Sequence, residues 1–236
     1  MRDLSHFNVT PFGSISHIIS HIKKQHNNEN AYHIITANPE IVYEAIVNKE
    51  YGDIFHSANL VVADGIGVSA PLSWKGYPSE RMPGIELFEA LMLDKELGKN
   101  GVYLVGAKAE TVSKAAINLS EDGIKVCGYR DGFFPLDESS ISNLVQEIKE
   151  LTPSIVAVAM GAPRQDIVIN LLKSKGVNTI VIGVGGAFDV LSGEIKRAPK
   201  FIQKIKLEWL YRLLGDLKRL PRYKKIFQYF IWLFRG

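Results

Sequence analysis

The chain has 236 residues, of which 46% are hydrophobic and 22% charged, a composition typical of a globular protein with one well-packed core. The single cysteine, Cys127, excludes a disulfide framework and fits a reducing compartment. The N-terminal residues lack the apolar segment of a signal peptide, and no apolar run approaches the ~20 residues that span a bilayer. We therefore expect a protein that is made and kept in the cytoplasm.

The net charge of +3 is unevenly distributed along the chain. Residues 194–236 carry 12 Lys and Arg against 3 Asp and Glu, whereas the preceding residues carry 16 against 22. A basic C-terminal segment of this kind indicates an anionic partner. A solvated, charged helix is the alternative interpretation.

Strand and helix patterns alternate along residues 1–193. After a short extended segment at residue 8, strands are predicted at residues 32–37, 60–63, 102–106, 124–128, 155–160 and 179–184. Helices are predicted at residues 14–24, 84–97, 109–119 and 138–151, and also starting at residues 39 and 163. This alternation predicts a Rossmann-like, doubly wound α/β fold with a mostly parallel sheet.

The strand at residues 32–37 ends in Thr36-Ala37-Asn38-Pro39-Glu40. Asn38 suits a helix N-cap, Pro39 the first helical position, and Glu40 the positive end of the helix. On this local pattern, a capped helix with no further role is as good an interpretation as a binding site.

The strand at residues 60–63 leads into Asp64 and the pattern Gly65-x-Gly67-x-x-Ala70. The glycines match a dinucleotide-binding fingerprint, so an NAD(P)-dependent oxidoreductase is one alternative. However, the pattern is not in the first βαβ unit, and the Asp64 carboxylate would repel a bound pyrophosphate. An acid at a strand end instead suits a general base for a substrate hydroxyl. In the loop that follows, Arg81 is a candidate phosphate ligand.

The two strands predicted at residues 155–160 and 179–184 are short, apolar and typical of buried parallel strands. Gly161 and Pro163 follow the first and open a helix whose first turn carries Arg164 and Gln165. Residues 183–186, Gly-Val-Gly-Gly, follow the second. Because backbone N–H groups at such strand ends can hold an anion, this edge is predicted to bind phosphate.

The C-terminal segment, residues 194–236, is predicted to be an appendage to a catalytic domain at residues 1–193. An apolar helical stripe runs from residue 201 to 217, and aromatic residues then alternate with Lys224, Lys225 and Arg235. This composition predicts an interfacial helix on an anionic membrane; a helix packed on its own domain or on a partner subunit is the alternative. Nucleic acid is not expected, because the aromatic residues cluster at one end. Removal of this segment is expected to leave the α/β core folded.

Motifs along nearly the whole chain resemble the WecG/TagA/CpsF group of bacterial glycosyltransferases, glycosyltransferase family 26. The motifs are Thr36-Ala-Asn-Pro-Glu40, Ala63-Asp-Gly-Ile-Gly67, Arg81 with Pro83-Gly84, Tyr103-Leu-Val-Gly-Ala107, Asp131-Gly-Phe133, Met160-Gly-Ala-Pro-Arg-Gln165, Gly183-Val-Gly-Gly-Ala-Phe-Asp189, Gly193-x-x-Lys-Arg-Ala-Pro199 and Leu207-Glu-Trp-Leu-Tyr-Arg212. One departure is Asp166, where the family commonly has Glu.

The resemblance implies an inverting, metal-independent transfer from a UDP-sugar donor to a polyprenyl-diphosphate-linked acceptor at the inner face of the cell membrane. The implied donor is UDP-N-acetylmannosamine and the acceptor undecaprenyl-diphosphate-N-acetylglucosamine, in wall teichoic acid or other cell-surface polysaccharide synthesis. Another donor hexose, for capsule or exopolysaccharide, is the alternative. The sequence leaves the donor sugar and the oligomeric state, including a homo-oligomer, undecided.

The same resemblance assigns site residues. It matches Asp64 to the catalytic base and Arg81 and Gln165 to further catalytic positions in the surrounding pocket, together with Thr36 and Asn38 as substrate contacts. Further predicted substrate contacts are Gly65, Gly132, Phe133, Gly161, Arg164, Gly183, Gly185, Gly186, Asp189, Lys196, Arg197, Arg212, Arg219 and Arg222. The chain contains no Asp-x-Asp pair, so no metal or other cofactor is expected. Arginine, lysine and helix N-termini would then neutralise the departing UDP.

Overall fold

A computed structural model of the protein describes residues 4–27, 29–196, 198–199, 201 and 220–235. These residues form a sheet of seven parallel strands in the order β1-β3-β2-β7-β6-β4-β5. The strands are β1 (Val9–Thr10), β2 (Tyr32–Ala37), β3 (Leu60–Ala63), β4 (Val102–Gly106), β5 (Val126–Arg130), β6 (Ile155–Ala159) and β7 (Ile180–Gly183). The predicted Rossmann-like α/β fold is confirmed.

Ten helices lie among the described residues, after a 3-10 turn at Leu4–Phe7. They are α1 (Ile15–Gln25), α2 (Pro39–Val47), α3 (Lys49–His56), α4 (Ile66–Trp74), α5 (Gly84–Leu93), α6 (Ala109–Glu121), α7 (Glu138–Leu151), α8 (Arg164–Ser174), α9 (Ala187–Leu191) and α10 (Leu220–Phe234). Asn38 is the predicted N-cap of α2, with its side chain accepting from the backbone N–H of Ile41 at 3.0 Å.

Several predicted boundaries differ from the structure, most of them by one or two residues, and two of the differences have a clear hydrogen-bonding cause. Helix α5 ends at Leu93 rather than residue 97, because the Asp94 carboxylate accepts from the backbone N–H groups of Glu96 and Leu97 and forms a turn. Strand β5 starts two residues later than predicted. The backbone N–H of Ile124 donates to the carbonyl of Leu119 and so closes the end of α6 instead of entering the sheet.

Helices cover both faces of the sheet, and consecutive strand residues point to opposite sides. Ile34 and Ile182 belong to the core formed with α1, α5, α6 and α9. Ile35 and Val181 face the opposite layer, where α2, α3, α4 and α10 cover one half and α7 and α8 the other. Burial on both faces explains why the inner strands β3, β4, β6 and β7 read as continuous apolar runs, whereas the edge strand β5 does not.

The last helix, α10, packs against this second layer. Tyr229 and Leu233 are fully buried, the Tyr229 hydroxyl donates to the carbonyl of Gly67 at 2.9 Å, and Lys225 forms a 2.7 Å ion pair with Glu44. Of the two alternatives for this part of the C-terminal segment, packing on its own domain is therefore observed. The stripe predicted at residues 201–217 falls, apart from Phe201, outside the described residues.

The outer side of α10 remains exposed. Phe227 is 67% exposed and Phe234 56%, and Lys224 and Arg235 are exposed as well. Across the residues that the structure describes, no helix combines the length and the apolar character needed to cross a membrane. The helix thus has one side in the protein core and an aromatic and basic side facing outward.

Candidate active site

The central strands β3, β2, β7 and β6 are neighbours, so their carboxyl ends lie side by side at one edge of the sheet. Asp64 follows β3, and its backbone N–H donates to the carbonyl of Ala37 at the end of β2, at 2.8 Å. The Thr36 hydroxyl, also at the end of β2, donates to the carbonyl of Gly183 on β7 at 3.1 Å. Residues far apart in sequence are brought together here, as expected from the carboxyl-edge rule for parallel sheets.

Arg81 lies in the loop between α4 and α5, next to the end of β3. The loop is held there because the backbone N–H of Met82 donates to the carbonyl of Ala63 at 3.0 Å, and Ala63 directly precedes Asp64. Both Asp64 and Arg81 are half-buried. The site therefore places an acid and an arginine on adjacent backbone segments; their roles as a base and as an anion ligand stay predictions.

The glycines of the dinucleotide-like pattern have structural explanations. Gly65 has a φ of +93°, which turns the chain from Asp64 into α4 and would strain a residue with a side chain. A Cβ on Gly67 would lie 2.4 Å from the Pro39 ring, so this glycine allows α4 to approach α2. Chain reversal and helix packing thus explain both glycines without a bound dinucleotide.

Gln165 lies in the first turn of α8 and is 2% exposed. Its side-chain oxygen accepts from the backbone N–H of Gly185 at 3.1 Å, and its amide nitrogen packs so closely on Gly183 that a Cβ there would be 2.4 Å away. Gln165 consequently fixes the loop after β7 to the start of α8, beside Thr36.

The hydrogen bonds of residues 183–186 differ from the predicted phosphate cradle. The N–H of Gly185 donates to Gln165, and the N–H of Val184 donates to the carbonyl of Val158 at 2.9 Å. In this structure these two groups are therefore engaged within the protein instead of facing outward. Gly186 is exposed, and Asp189 lies half-buried in the first turn of α9.

A buried trio of polar side chains, His33, Tyr51 and Asp166, lies behind Gln165 and was not predicted as part of the site. Asp166 is fully buried; its carboxylate accepts from the Tyr51 hydroxyl at 2.8 Å and lies 3.4 Å from Nε2 of His33. Burial, together with the neighbouring Asp166 carboxylate, raises the pKa of Tyr51 above its usual range, so its hydroxyl stays a donor. The available sequence signal was His33 inside the otherwise nonionic strand β2, since a buried histidine needs a partner.

A second group of predicted residues lies farther along the same edge, after β5 and β6. The Arg164 guanidinium donates to the carbonyls of Gly132 and Phe134 and packs over the Phe134 ring. Phe133 is 78% exposed, and Gly161 has a φ of +73°. Arg164 thus holds this loop in place, and its contact with a diphosphate stays a prediction.

The predicted basic contacts of the C-terminal segment are only partly described. Lys196 is exposed, in a segment whose Glu194 accepts a hydrogen bond from Thr111 at 2.9 Å. Arg197, Arg212 and Arg219 lie outside the described residues, and Arg222 is described only by its backbone, within α10. The side chain of Asn38 caps α2, so the structural role foreseen for it is confirmed and a substrate contact stays a prediction.

Within the described ranges, no group of three or more His, Cys, Asp or Glu side chains is arranged to hold a metal ion. Metal independence itself stays a prediction, to be tested by chelation.

The sequence matches the Glycosyl transferase WecG/TagA/CpsF family over residues 5–236. It is 34% identical over 219 residues, 91% of this chain and 84% of the relative, to the N-acetylglucosaminyldiphosphoundecaprenol N-acetyl-beta-D-mannosaminyltransferase of Bacillus spizizenii (strain ATCC 23059 / NRRL B-14472 / W23). It is 35% identical over 195 residues, 82% of this chain and 76% of the relative, to the protein of the same name from Staphylococcus aureus (strain MW2).

Proposed function

The chain belongs to the WecG/TagA/CpsF family of glycosyl transferases, and on this premise we propose that it transfers N-acetylmannosamine from a UDP-sugar to undecaprenyl-diphosphate-linked N-acetylglucosamine. The names of its relatives support this donor and acceptor. The observation that carries the proposal is the position of Asp64, at the carboxyl end of β3 and beside the segments that carry Thr36 and Arg81. The product would enter wall teichoic acid or another cell-surface polysaccharide.

In the proposed mechanism, Asp64 accepts the proton of the acceptor hydroxyl as that oxygen attacks the anomeric carbon of the donor. The hydroxyl attacks from the face opposite the UDP oxygen, whose bond to the anomeric carbon breaks, so the configuration inverts and UDP leaves with the bonding electron pair. Arg81 lies on the neighbouring backbone segment and supplies positive charge where the diphosphate leaves. Gln165 shapes the pocket wall between β2 and β7 through its bond to Gly185.

We also propose that the protein works at the inner surface of the cytoplasmic membrane, through residues 194–236. The exposed side of α10 presents Phe227 and Phe234 together with the cationic side chains of Lys224 and Arg235. Aromatic rings favour the interfacial region of a bilayer, and each nearby Lys or Arg contributes about 1 kcal/mol on an anionic leaflet. Tyr229 of the same helix forms a hydrogen bond with the carbonyl of Gly67, three residues after Asp64. Contact of α10 with the membrane would therefore hold the site close to the lipid-linked acceptor.

Replacement of Asp64 tests the catalytic part of the proposal. Asp64→Asn should reduce transfer to a short-chain lipid-diphosphate acceptor about 10²–10⁴-fold while UDP binding, measured by calorimetry, stays nearly unchanged. Asp53→Asn, on the exposed side of α3, is the matched control and should keep full activity. Near-normal transfer by Asp64→Asn would remove Asp64 from the mechanism, and binding of NADH instead of UDP would favour the oxidoreductase alternative.

Co-sedimentation with anionic liposomes tests the membrane part. The double variant Phe227→Ser/Phe234→Ser should bind phosphatidylglycerol vesicles several-fold more weakly than the unchanged protein. Ile117→Ser removes a comparably exposed apolar side chain from α6, on the opposite face of the sheet, and should bind like the unchanged protein. Equal binding by all three proteins would contradict a membrane role for the outer side of α10.

A further inference from the structure

We propose that Asp166, held by His33 and Tyr51, is a positioning residue that sets the first turn of α8 and thereby the side-chain amide of Gln165. The inference rests on the proposed function, in which Gln165 forms part of the substrate pocket. It concerns residues that are shielded from solvent: His33 and Tyr51 are each 1% exposed and Asp166 is fully buried.

The buried trio joins three separate elements. Asp166 belongs to the first turn of α8, His33 to the central strand β2, and Tyr51 to α3. The carboxylate accepts from Tyr51 at 2.8 Å with one oxygen and lies 3.4 Å from His33 with the other. The first turn of α8 is thus fixed to the sheet through His33 of β2 and to the neighbouring helix α3 through Tyr51.

Burial of a carboxylate costs free energy, because the hydration that the group loses must be replaced by contacts with polar partners. The positive end of α8 favours the negative charge, and the Tyr51 hydroxyl supplies a donor. Apolar side chains would pack here with many similar arrangements, whereas hydrogen bonds of fixed direction select one. The trio therefore specifies one rotation of the first turn more sharply than apolar packing would.

Gln165 and Asp166 are consecutive, so about 100° of helix rotation separates them, and any turn of the helix start moves both. Both side chains, those of Gln165 and Asp166, lie close to Gly183. A Cβ at this position would lie 2.4 Å from Nε2 of Gln165 and 3.2 Å from Oδ1 of Asp166. Both side chains thus pack on the same strand end, and the direction of one determines the reach of the other toward Gly185 and the pocket.

Removal of the Tyr51 hydroxyl tests the proposal. Tyr51→Phe should lower kcat/KM for the donor about 10- to 100-fold, because misplacement of a pocket group by a fraction of an ångström is costly to a transfer reaction. The matched control is Tyr103→Phe, which also removes the hydroxyl of a buried tyrosine that donates to a carboxylate, that of Glu147, in the other half of the same layer, under α7. Both variants should lose similar thermal stability, but only Tyr51→Phe should lose activity at temperatures where both are folded.

A double-mutant cycle distinguishes positioning from a general structural effect. If Tyr51 and Asp166 act through Gln165, then Tyr51→Phe and Asp166→Asn should each reduce kcat/KM when Gln165 is present. In a protein that already carries Gln165→Ala, the same two substitutions should change kcat/KM less than twofold. Full additivity of the losses, equal losses in Tyr103→Phe, or full activity of both Tyr51→Phe and Asp166→Asn would overturn the inference. If the single variant Gln165→Ala is fully active, the proposed role of Gln165 is refuted and the inference with it. If Gln165→Ala loses activity but Tyr51→Phe and Asp166→Asn do not, the proposed function stands and the positioning role is refuted.

Discussion

Two residues of α10 differ in burial, and their truncation should therefore differ in its effect on the free energy of unfolding. Leu233 is fully buried against the layer formed by α2 and α3, whereas Phe227 is 67% exposed. If α10 belongs to the folded core, Leu233→Ala should destabilise the protein and Phe227→Ala should not. The pair therefore separates the core-facing side of α10 from the side proposed to meet a membrane.

The size of the effect follows from burial. Truncation of a fully buried leucine to alanine costs roughly 2–5 kcal/mol, from lost transfer free energy and from the cavity that remains. For a chain of this length, 1 kcal/mol corresponds to about 2–4 °C in Tm, so a central value of about 3 kcal/mol predicts a decrease of roughly 6–12 °C. Phe227→Ala removes a side chain from solvent and should change the free energy of unfolding by less than about 0.5 kcal/mol.

Urea titration followed by circular dichroism, with Tm from calorimetry, measures both variants against the unchanged protein. An unchanged midpoint for Leu233→Ala, or an equal decrease for Phe227→Ala, would refute the packing described for α10. The same reasoning revises the expectation that the core is complete before residue 194. Tyr229 and Leu233 complete one apolar cluster, so deletion of residues 194–236 should lower the stability of the α/β domain by several kcal/mol as well as remove its basic segment.

Two further predictions concern the site. Saturating EDTA should leave transfer activity intact, since the sequence has no Asp-x-Asp pair and the proposed charge neutralisation relies on Arg81 and other basic groups; activity that is lost on chelation and restored by magnesium or manganese would contradict this. Gly183→Ala should displace the Gln165 amide, lower kcat/KM at least tenfold and cost about 1–3 kcal/mol through overpacking, whereas Gly13→Ala, where a Cβ meets only the edge of His17 at 3.9 Å, should change neither quantity.

The strands of the sheet can be predicted from the sequence, because local residue patterns mark them. Strands β2 and β3 occupy the predicted residues, since each is a short apolar run that ends at a residue with its own local signal: the cap Asn38 in one case and Asp64-Gly65 in the other. The family resemblance then predicts Asp64 and Gln165 in one pocket, in agreement with the rule that ligands bind at the carboxyl edge. Less local signals misplace boundaries, as at Ile124, which closes α6 instead of opening β5, and they leave the helices α3, α4 and α9 unpredicted.

The tertiary structure alone shows which surfaces meet. The order of the strands places β7 between β2 and β6, which brings Thr36 to Gly183 although 147 positions separate them. It likewise pairs Tyr51 with Asp166 across 115 positions and Tyr229 with Gly67 across 162.

The physical reason is that a sequence pattern reports which side of an element avoids water but not which other element covers it. Many partners offer the same apolar area, so the apolar stripe of α10 fits a membrane or a protein core equally well by composition. The choice depends on the shape and hydrogen bonding of the assembled partner, here α2 with the carbonyl of Gly67. Position along the chain therefore predicts a catalytic role for Asp64, and three-dimensional packing shows which residues hold the neighbouring segments in place.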